Sequence, residues 1–165
     1  MTPSMDVDRL LAAARETMAR VKDCWLATPA EGGGVSVRVV SPIPGVTGEE
    51  DWTIWFATKR SSRKAAEIRR AGRLTLGYQY HPDRAYVSLL GPAVLIEDRS
   101  AIRDRWSEGF RPYFPGGPEN PDTIFVRVNV DRIELCVSGF TPEPFGSRHS
   151  VIERDGDRLW KIVSN

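Results

Sequence analysis

The sequence is poor in the residues that build thiol and metal sites. Its 165 residues include two cysteines, two histidines and three methionines. Cys24 and Cys136 lie in apolar, strand-like surroundings, and no motif links either thiol to His81 or His149. A reactive cysteine needs a neighbouring base or cation, so we expect both thiols to be buried and unreactive. We also expect no metal site, and haem has few candidate ligands.

Long apolar runs and an excess of one charge are also missing. No run approaches the roughly 18 residues of a membrane-spanning helix, and we recognise no secretory leader, so a reducing cytoplasm is expected. Lys and Arg number 23 against 22 Asp and Glu, a net charge of +1. Bulk charge therefore gives no reason to expect a nucleic-acid or membrane partner. The length and a hydrophobic content of 41% fit a single domain over residues 1–165.

What the sequence does contain is alternation of apolar and polar residues, which predicts seven or eight strands. Single helices are predicted over Met5–Val21, from Ser62 to Gly72, and from a cap at Asp98 to about Glu108. Gly91-Pro92 requires a bend inside a long strand. Because short turns join successive strands, the predicted fold is mainly β (α+β), an antiparallel barrel with peripheral helices.

The central stretch, WTIWFATKRSSRKAAEIRRAGRLTL, passes from strand to helix to strand through a basic, hydroxyl-rich turn. An oxyanion at the helix start would meet unpaired backbone N–H groups, the hydroxyls of Thr58 and Ser62, and the charges of Arg63 and Lys64. A serine-capped surface helix with a solvated basic face would account for the same residues. Both interpretations remain open from these residues alone.

Two further features each leave two interpretations. Arg38 interrupts the strand VSVRVVS, where an arginine needs an anionic partner, either a carboxylate of the fold or a bound ligand. The segment Phe110–Asp122 has four prolines, two glycines and three aromatic residues. It is either a rigid surface crossing or a wall of a pocket.

The order of WFATKRSSRKAAEI, YVSLLG, a helix ending in Trp106, YFPGGPENPD and a final RDGDRLWKI resembles the pyridoxamine 5'-phosphate oxidase-like family. Within it the chain is most similar to the general stress protein branch. The resemblance implies a six- to eight-stranded split β-barrel that binds FMN. It also implies a homodimer with the flavin site at the subunit interface.

Ten positions match residues that contact FMN in the family. The resemblance assigns Arg38, Val39 and Val40 to a strand beside the flavin, Ala57 and Thr58 to the strand end, and Ser62, Arg63 and Lys64 to the phosphate. Tyr86 stands where the oxidase has a glutamine that contacts the flavin, and Trp160 resembles a tryptophan near the end of the oxidase chain.

The chain departs from the oxidase at its substrate residues, and its catalytic residues are unknown. Ile43 occupies the position of the lysine that binds the substrate phosphate, and Arg148-His149 are adjacent where the oxidase has arginine-x-histidine. Conversion of the vitamin is therefore not expected, and the substrate is unknown. Two functions remain, an FMN-dependent oxidoreductase and a non-catalytic flavin-binding stress protein. A third possibility keeps the barrel and exchanges FMN for haem or a deazaflavin.

Overall fold

The computed structural model describes residues 6–44, 52–155 and 159–164. These ranges contain three α-helices: α1 (Val7–Ala19), α2 (Arg63–Ala71) and α3 (Arg99–Arg105). They contain nine strands: β1 (Cys24–Pro29), β2 (Val35–Val40), β3 (Thr53–Lys59), β4 (Arg73–Tyr80), β5 (Ala85–Ile96), β6 (Thr123–Asn129), β7 (Arg132–Val137), β8 (Ser150–Arg154) and β9 (Trp160–Val163).

The predicted fold class is confirmed, with two differences in detail. In the described ranges every strand pair is antiparallel, and nine strands are found where seven or eight were predicted. The third helix is shorter than predicted, because Trp106 adopts an extended backbone (φ −65°, ψ 140°) that ends it. Its predicted cap is present, since the Asp98 carboxylate accepts from the Ala101 amide at 2.8 Å. The tip of the last hairpin, predicted at Asp155-Gly156, extends beyond the described residues.

Six strands close into a barrel. The ladder runs β2-β1-β4-β5-β6-β3, and β3 then meets the segment that follows β2. There Pro42 bridges to Phe56, and the Ile43 amide donates to the Trp55 carbonyl at 2.7 Å. Because this closing contact involves only two pairs of described residues, the barrel stays split between β2 and the carboxyl end of β3. Strands β7, β8 and β9 extend one side of the barrel beyond β5.

Strand β5 bends where Gly91-Pro92 predicted a bend. Its first half, Ala85–Leu90, pairs with β7, and its second half, Ala93–Ile96, pairs with β6. At Gly91 a Cβ atom would lie 2.1 Å from the Asn129 carbonyl oxygen. Only glycine fits this close approach of two backbones, which lets one strand serve both parts of the sheet.

The core is made of fully buried apolar side chains, and Trp55, Ile102 and Phe125 form a cluster separate from the main one. The largest are Phe56, Phe125, Leu10, Leu26, Ile68, Leu76, Leu89, Ile102, Ile124, Ile133, Leu135 and Ile152. Cys24 and Cys136 are buried free thiols, as predicted. None of the three described helices is long and apolar enough to cross a membrane.

The outer face of β1 and β2 is apolar and exposed. Trp25 is 51% exposed, and Val35, Val37 and Val39 are 63%, 57% and 52% exposed. The register places Trp25 directly opposite Val39 on this face. We call these four residues the β1–β2 apolar face. A contiguous apolar surface of this kind is typical of an interaction site rather than of a solvated sheet.

Candidate functional site

The start of α2 is built by local signals in the sequence. Ser62 has an extended backbone, and its hydroxyl accepts from the Ala65 amide at 3.1 Å, so it is the N-cap. Gly72 ends the helix with φ 68°, a left-handed conformation that glycine adopts readily. The hydroxyls of Thr58 and Ser62 lie 3.3 Å apart. Two hydroxyl groups therefore meet at the positive end of the helix dipole.

Two backbone donors at this helix start remain available. No described residue accepts a hydrogen bond from the amides of Arg63 or Lys64. The serine cap satisfies only the amide of Ala65, and the amide of Ala66 donates to the Ser62 carbonyl at 3.2 Å. An anion outside the first turn of α2 would meet both donors.

Arg38 has a carboxylate of the fold as a partner, the first of the two partners predicted for this residue. Its guanidinium forms an ion pair with Glu67 of α2. It also donates to the Thr28 hydroxyl at 2.5 Å and to the Ser36 carbonyl at 2.9 Å. These contacts engage three of its five N–H groups. The remaining donors face no described acceptor.

Glu67 is the centre of this network. It is 3% exposed, and it accepts from the Thr28 hydroxyl at 2.6 Å and from the Ser36 hydroxyl at 2.9 Å, besides its pair with Arg38. The hydrogen bond from Thr28, followed by that from Arg38, lowers the pKa of Glu67 to about 2. The carboxylate is therefore ionised at neutral pH, and it compensates one positive charge of the site.

Lys64 differs from the other cations here. Its side chain is half-buried, and no described carboxylate forms an ion pair with it. Burial, and next the charge of Arg38, lower the pKa of the Lys64 ammonium. A cation that is partly desolvated beside a second cation is in an unfavourable position unless an anion joins it.

Arg63 is mostly solvated. Its side chain is 79% exposed, and its Nε lies 3.6 Å from the Glu67 carboxylate. We refer to Arg38, Thr58, Ser62, Arg63, Lys64 and Glu67 as the α2 cluster. Three cations and one carboxylate leave this cluster with two positive charges.

The turn before α2 is held by the segment Phe110–Asp122. The Asp122 carboxylate accepts from the Ser61 amide at 2.8 Å and from its hydroxyl at 2.9 Å. The bond from the amide is the largest of the effects that lower the pKa of Asp122. Arg99 of α3 fixes the segment itself by donating to the carbonyls of Pro118 (2.8 Å), Asn120 (2.9 Å) and Thr123 (2.8 Å). The segment is thus a rigid crossing that supports the turn.

The other predicted contact residues of β2 and β3 lie next to the cluster. Val39 is exposed on the β1–β2 apolar face, whereas Val40 is buried in the barrel. Ala57 is half-buried on β3, directly before Thr58. Val39 and Ala57 are thus directly adjacent in sequence to a member of the α2 cluster, and Val40 is two residues from Arg38.

Tyr86 and Trp160 lie elsewhere. The Tyr86 hydroxyl is 3.1 Å from Nδ1 of His81, and its ring centroid is 6.0 Å from that of Phe145. Trp160 of β9 packs edge-on against Trp52 with ring centroids 5.9 Å apart. Within the described residues of one chain, neither has a recorded contact with the α2 cluster.

Sequence reasoning missed Glu67 and Asp122. Glu67 is the single acid among four bases in α2, and it stands four residues after Arg63, a spacing that brings two side chains onto one helix face. This signal was present in the sequence. Asp122 had no such signal, because it reaches Ser61 across 61 residues of chain.

The sequence model of a family described as "Pyridoxamine 5'-phosphate oxidase like" matches residues 11–139, more than three quarters of the chain. No curated protein matches the sequence. The fold is shared by many solved structures.

Three solved structures illustrate this likeness. A Clostridium acetobutylicum protein related to general stress protein 26 is 16% identical (TM-score 0.73), and the match covers 90% of this chain and 96% of that one. A pyridoxamine 5'-phosphate oxidase-related, FMN binding protein from Nostoc punctiforme is 14% identical (TM-score 0.67; 99% of both chains). PhzG from Burkholderia lata, in complex with tetrahydrophenazine-1-carboxylic acid, is 22% identical (TM-score 0.62; 98% and 93%). At these identities the likeness concerns the fold.

Proposed function

Because the chain belongs to the pyridoxamine 5'-phosphate oxidase-like family, we propose that it is an FMN-binding flavoprotein that acts as an oxidoreductase. The α2 cluster would hold the FMN phosphate. A solved structure of the same fold is that of an FMN binding protein, which supports this choice of ligand.

The observation that carries the proposal is the position of Lys64. Its half-buried ammonium faces Arg38 and pairs with no described carboxylate. The amides of Arg63 and Lys64, for which no described residue is an acceptor, lie in the first turn of the same helix. A serine cap on a solvated helix explains Ser62, but it does not explain a partly desolvated lysine beside an arginine. A phosphate bound at the start of α2 explains both the hydroxyl of Ser62 and the partly desolvated Lys64.

The charge of the cluster suits a phosphate monoester. The two net positive charges of the cluster balance the roughly −1.5 to −2 charge of such a group at neutral pH. Lys64 and the remaining N–H groups of Arg38 would donate to the phosphate oxygens, while Glu67 keeps the Arg38 guanidinium in place. The hydroxyl of Thr58 is a further donor.

The flavin ring would extend along β2 past Val39 and Val40, and it requires a second wall. A ligand of this size is normally enclosed over most of its surface. We therefore propose a homodimer in which a second copy covers the β1–β2 apolar face and encloses the flavin between the two chains. The resemblance assigns Tyr86 and Trp160 to the flavin as well, and in this proposal they would reach a flavin bound between the subunits.

When bound, FMN supplies hydride and electron transfer. The residues of this chain bind the phosphate, orient the ring and exclude water from it. No residue of the α2 cluster is assigned a catalytic role, and the substrate is unassigned. The two free cysteines fit a reducing compartment, and we place the protein in the cytoplasm.

The experiment is a flavin titration of the purified protein, followed by the visible spectrum and by quenching of flavin fluorescence. We expect FMN to bind with a dissociation constant at least tenfold below that of riboflavin. Binding of haem or a deazaflavin in preference to FMN would contradict the choice of ligand. Reduction of the bound flavin by a nicotinamide donor supports oxidoreductase activity, and its absence with several donors favours a non-catalytic flavin-binding protein.

A further inference from the structure

Lysine is rare in this chain, and one lysine differs from the others. The sequence has four lysines among its 23 basic residues: Lys22, Lys59, Lys64 and Lys161. Lys22, Lys59 and Lys161 are exposed, whereas Lys64 is half-buried in the α2 cluster beside Arg38. The chain therefore contains a single lysine that is partly withdrawn from water and next to a second cation.

The surroundings of Lys64 favour its neutral amine. Burial, and next the charge of Arg38, lower the pKa of the Lys64 ammonium. The acid of the same helix, Glu67, is engaged by Arg38 and by two hydroxyl groups, and no described carboxylate forms an ion pair with Lys64. Only the neutral amine is a nucleophile. Desolvation beside another cation is one of the ways in which proteins activate a lysine.

The start of α2 also suits the phosphoryl half of an acyl phosphate. The amides of Arg63 and Lys64 lie in the first turn with no described acceptor, and the hydroxyls of Thr58 and Ser62 are 3.3 Å apart beside them. In an acyl phosphate the phosphoryl group is attached directly to a reactive carbonyl. Binding of the phosphoryl oxygens at this turn therefore raises the effective concentration of that carbonyl at the Lys64 amine.

We propose that Lys64 is a site of acylation by acyl phosphates, and that acylation of Lys64 and binding of FMN exclude each other. The neutral Lys64 amine attacks the carbonyl carbon, a C–N bond forms, and the C–O bond to the phosphoryl group breaks. Phosphate leaves with the electron pair of that bond, and the amine proton passes to the solvent. The mutual exclusion rests on the proposed FMN site, whereas the reactivity of Lys64 does not.

Acylation changes the charge of the α2 cluster. An acylated lysine is neutral, so the two net positive charges of the cluster fall to one, and a donor to the phosphate is lost. Bound FMN has the opposite effect, because its phosphate covers Lys64 and favours the charged ammonium over the nucleophilic amine. The acylation state of one lysine thus sets the fraction of the protein that can hold flavin.

The probe is acetyl phosphate, applied to flavin-free wild-type protein, and mass spectrometry of its peptides gives the acetylation rate of each lysine. N-hydroxysuccinimidyl acetate is the matched neutral donor of the same acetyl group. Lys22 is the internal reference, because it is exposed and lies outside the α2 cluster. We expect acetyl phosphate to modify Lys64 roughly tenfold faster than Lys22 or more. The neutral donor should show a smaller preference for Lys64.

FMN and riboflavin at equal occupancy test the mutual exclusion. FMN should slow the acetylation of Lys64 and leave that of Lys22 unchanged, and riboflavin, which lacks the phosphate, should slow neither. Lys64→Gln is neutral like the acylated lysine and should bind FMN roughly tenfold to a hundredfold more weakly than the wild type. Lys22→Gln removes an exposed charge elsewhere and should bind FMN as the wild type does.

Acetylation of Lys64 by acetyl phosphate at the rate of Lys22 or slower would overturn the proposal, whether or not FMN binds. An equal preference for Lys64 with both donors would overturn the choice of acyl phosphates. Bound FMN that leaves the acetylation of Lys64 unchanged would overturn the mutual exclusion. If the flavin titration shows no FMN binding, the proposed function and the exclusion both fail, while faster acetylation of Lys64 by acetyl phosphate still supports the acylation site.

Discussion

At the scale of residues, the cations of the α2 cluster differ in how much of their charge is available to a ligand. Arg38 is paired with the buried Glu67, and Arg63 is mostly solvated. Lys64 is half-buried, and no described carboxylate neutralises it. Residue type alone does not show which of the three cations is the strongest candidate to bind a phosphate. Their surroundings make Lys64 the strongest candidate to bind a phosphate.

Glu67→Gln should destabilise the protein at pH 7, because the ionised carboxylate holds Arg38, Thr28 and Ser36 together. The pKa of Glu67 is lowered to about 2 in the folded protein. Its stabilisation is therefore complete above its ordinary pKa of about 4.3 and is lost as the pH falls towards 2. Urea unfolding should show that the free energy of unfolding of the variant is lower than that of the wild type at pH 7. This difference should be smaller at pH 3.

The control for this experiment is Glu31→Gln, since the Glu31 side chain is 93% exposed. It should change the free energy of unfolding by less than about 0.5 kcal/mol at either pH. If Glu67→Gln lowers the free energy of unfolding as much at pH 3 as at pH 7, the ionised carboxylate is not the cause of the loss of stability.

Ile43 leads to a prediction about the substrate. Its side chain packs against the cluster of Trp55, Ile102 and Phe125, and it cannot pair with a substrate phosphate as a lysine would. We expect negligible oxidation of pyridoxamine 5'-phosphate when FMN is supplied, measured by oxygen consumption beside an authentic oxidase. Turnover comparable to that of the oxidase would refute this expectation.

At the scale of elements, the local signals of the sequence were sufficient where a structure depends on neighbours in the chain. The cap at Ser62, the stop at Gly72 and the bend at Gly91-Pro92 were all predicted from such signals, and the structure confirms them. The pair of Arg38 with Glu67 was not predictable in the same way. It joins residues 29 positions apart, and it forms only because the β1–β2 hairpin packs on α2.

Gly91→Ala should be strongly destabilising. The new Cβ would lie 2.1 Å from the Asn129 carbonyl oxygen, and neither backbone can move without breaking the ladders of β5. We expect a loss of more than about 2 kcal/mol in the free energy of unfolding, measured with urea. Gly32→Ala is the control, because nothing lies within 4 Å of the added Cβ. Similar stabilities for the two variants would show that the close approach is relaxed in solution.

At the scale of the whole molecule, the β1–β2 apolar face is the observation behind the proposed dimer. Four large apolar side chains, each more than half exposed, share one side of two adjacent strands. The alternation in VSVRVVS is sufficient to place Val35, Val37 and Val39 on one side of β2. It could not predict that the face would remain uncovered in one chain, because that depends on where the helices pack.

We expect the wild type to have twice the mass of one chain in light scattering at micromolar concentration. The double variant Val37→Asp, Val39→Asp should have a measured mass closer to that of one chain, because burying two unpaired carboxylates in an interface is costly. Val94→Asp alters an apolar residue that is 42% exposed on β5, outside the face, and should leave the mass unchanged. A monomeric wild type would contradict the proposed dimer.

The central claim is that the α2 cluster binds the phosphate of FMN, and Lys64→Ala tests it most directly. A charge-assisted hydrogen bond contributes roughly 1.5 to 3 kcal/mol, so FMN affinity should fall roughly tenfold to a hundredfold. Arg63→Ala should weaken FMN by less than about fivefold, because an exposed charge contributes little. Riboflavin, which lacks the phosphate, should bind both variants and the wild type equally well. An unchanged FMN affinity of Lys64→Ala, or an equal loss for FMN and riboflavin, would contradict the phosphate site.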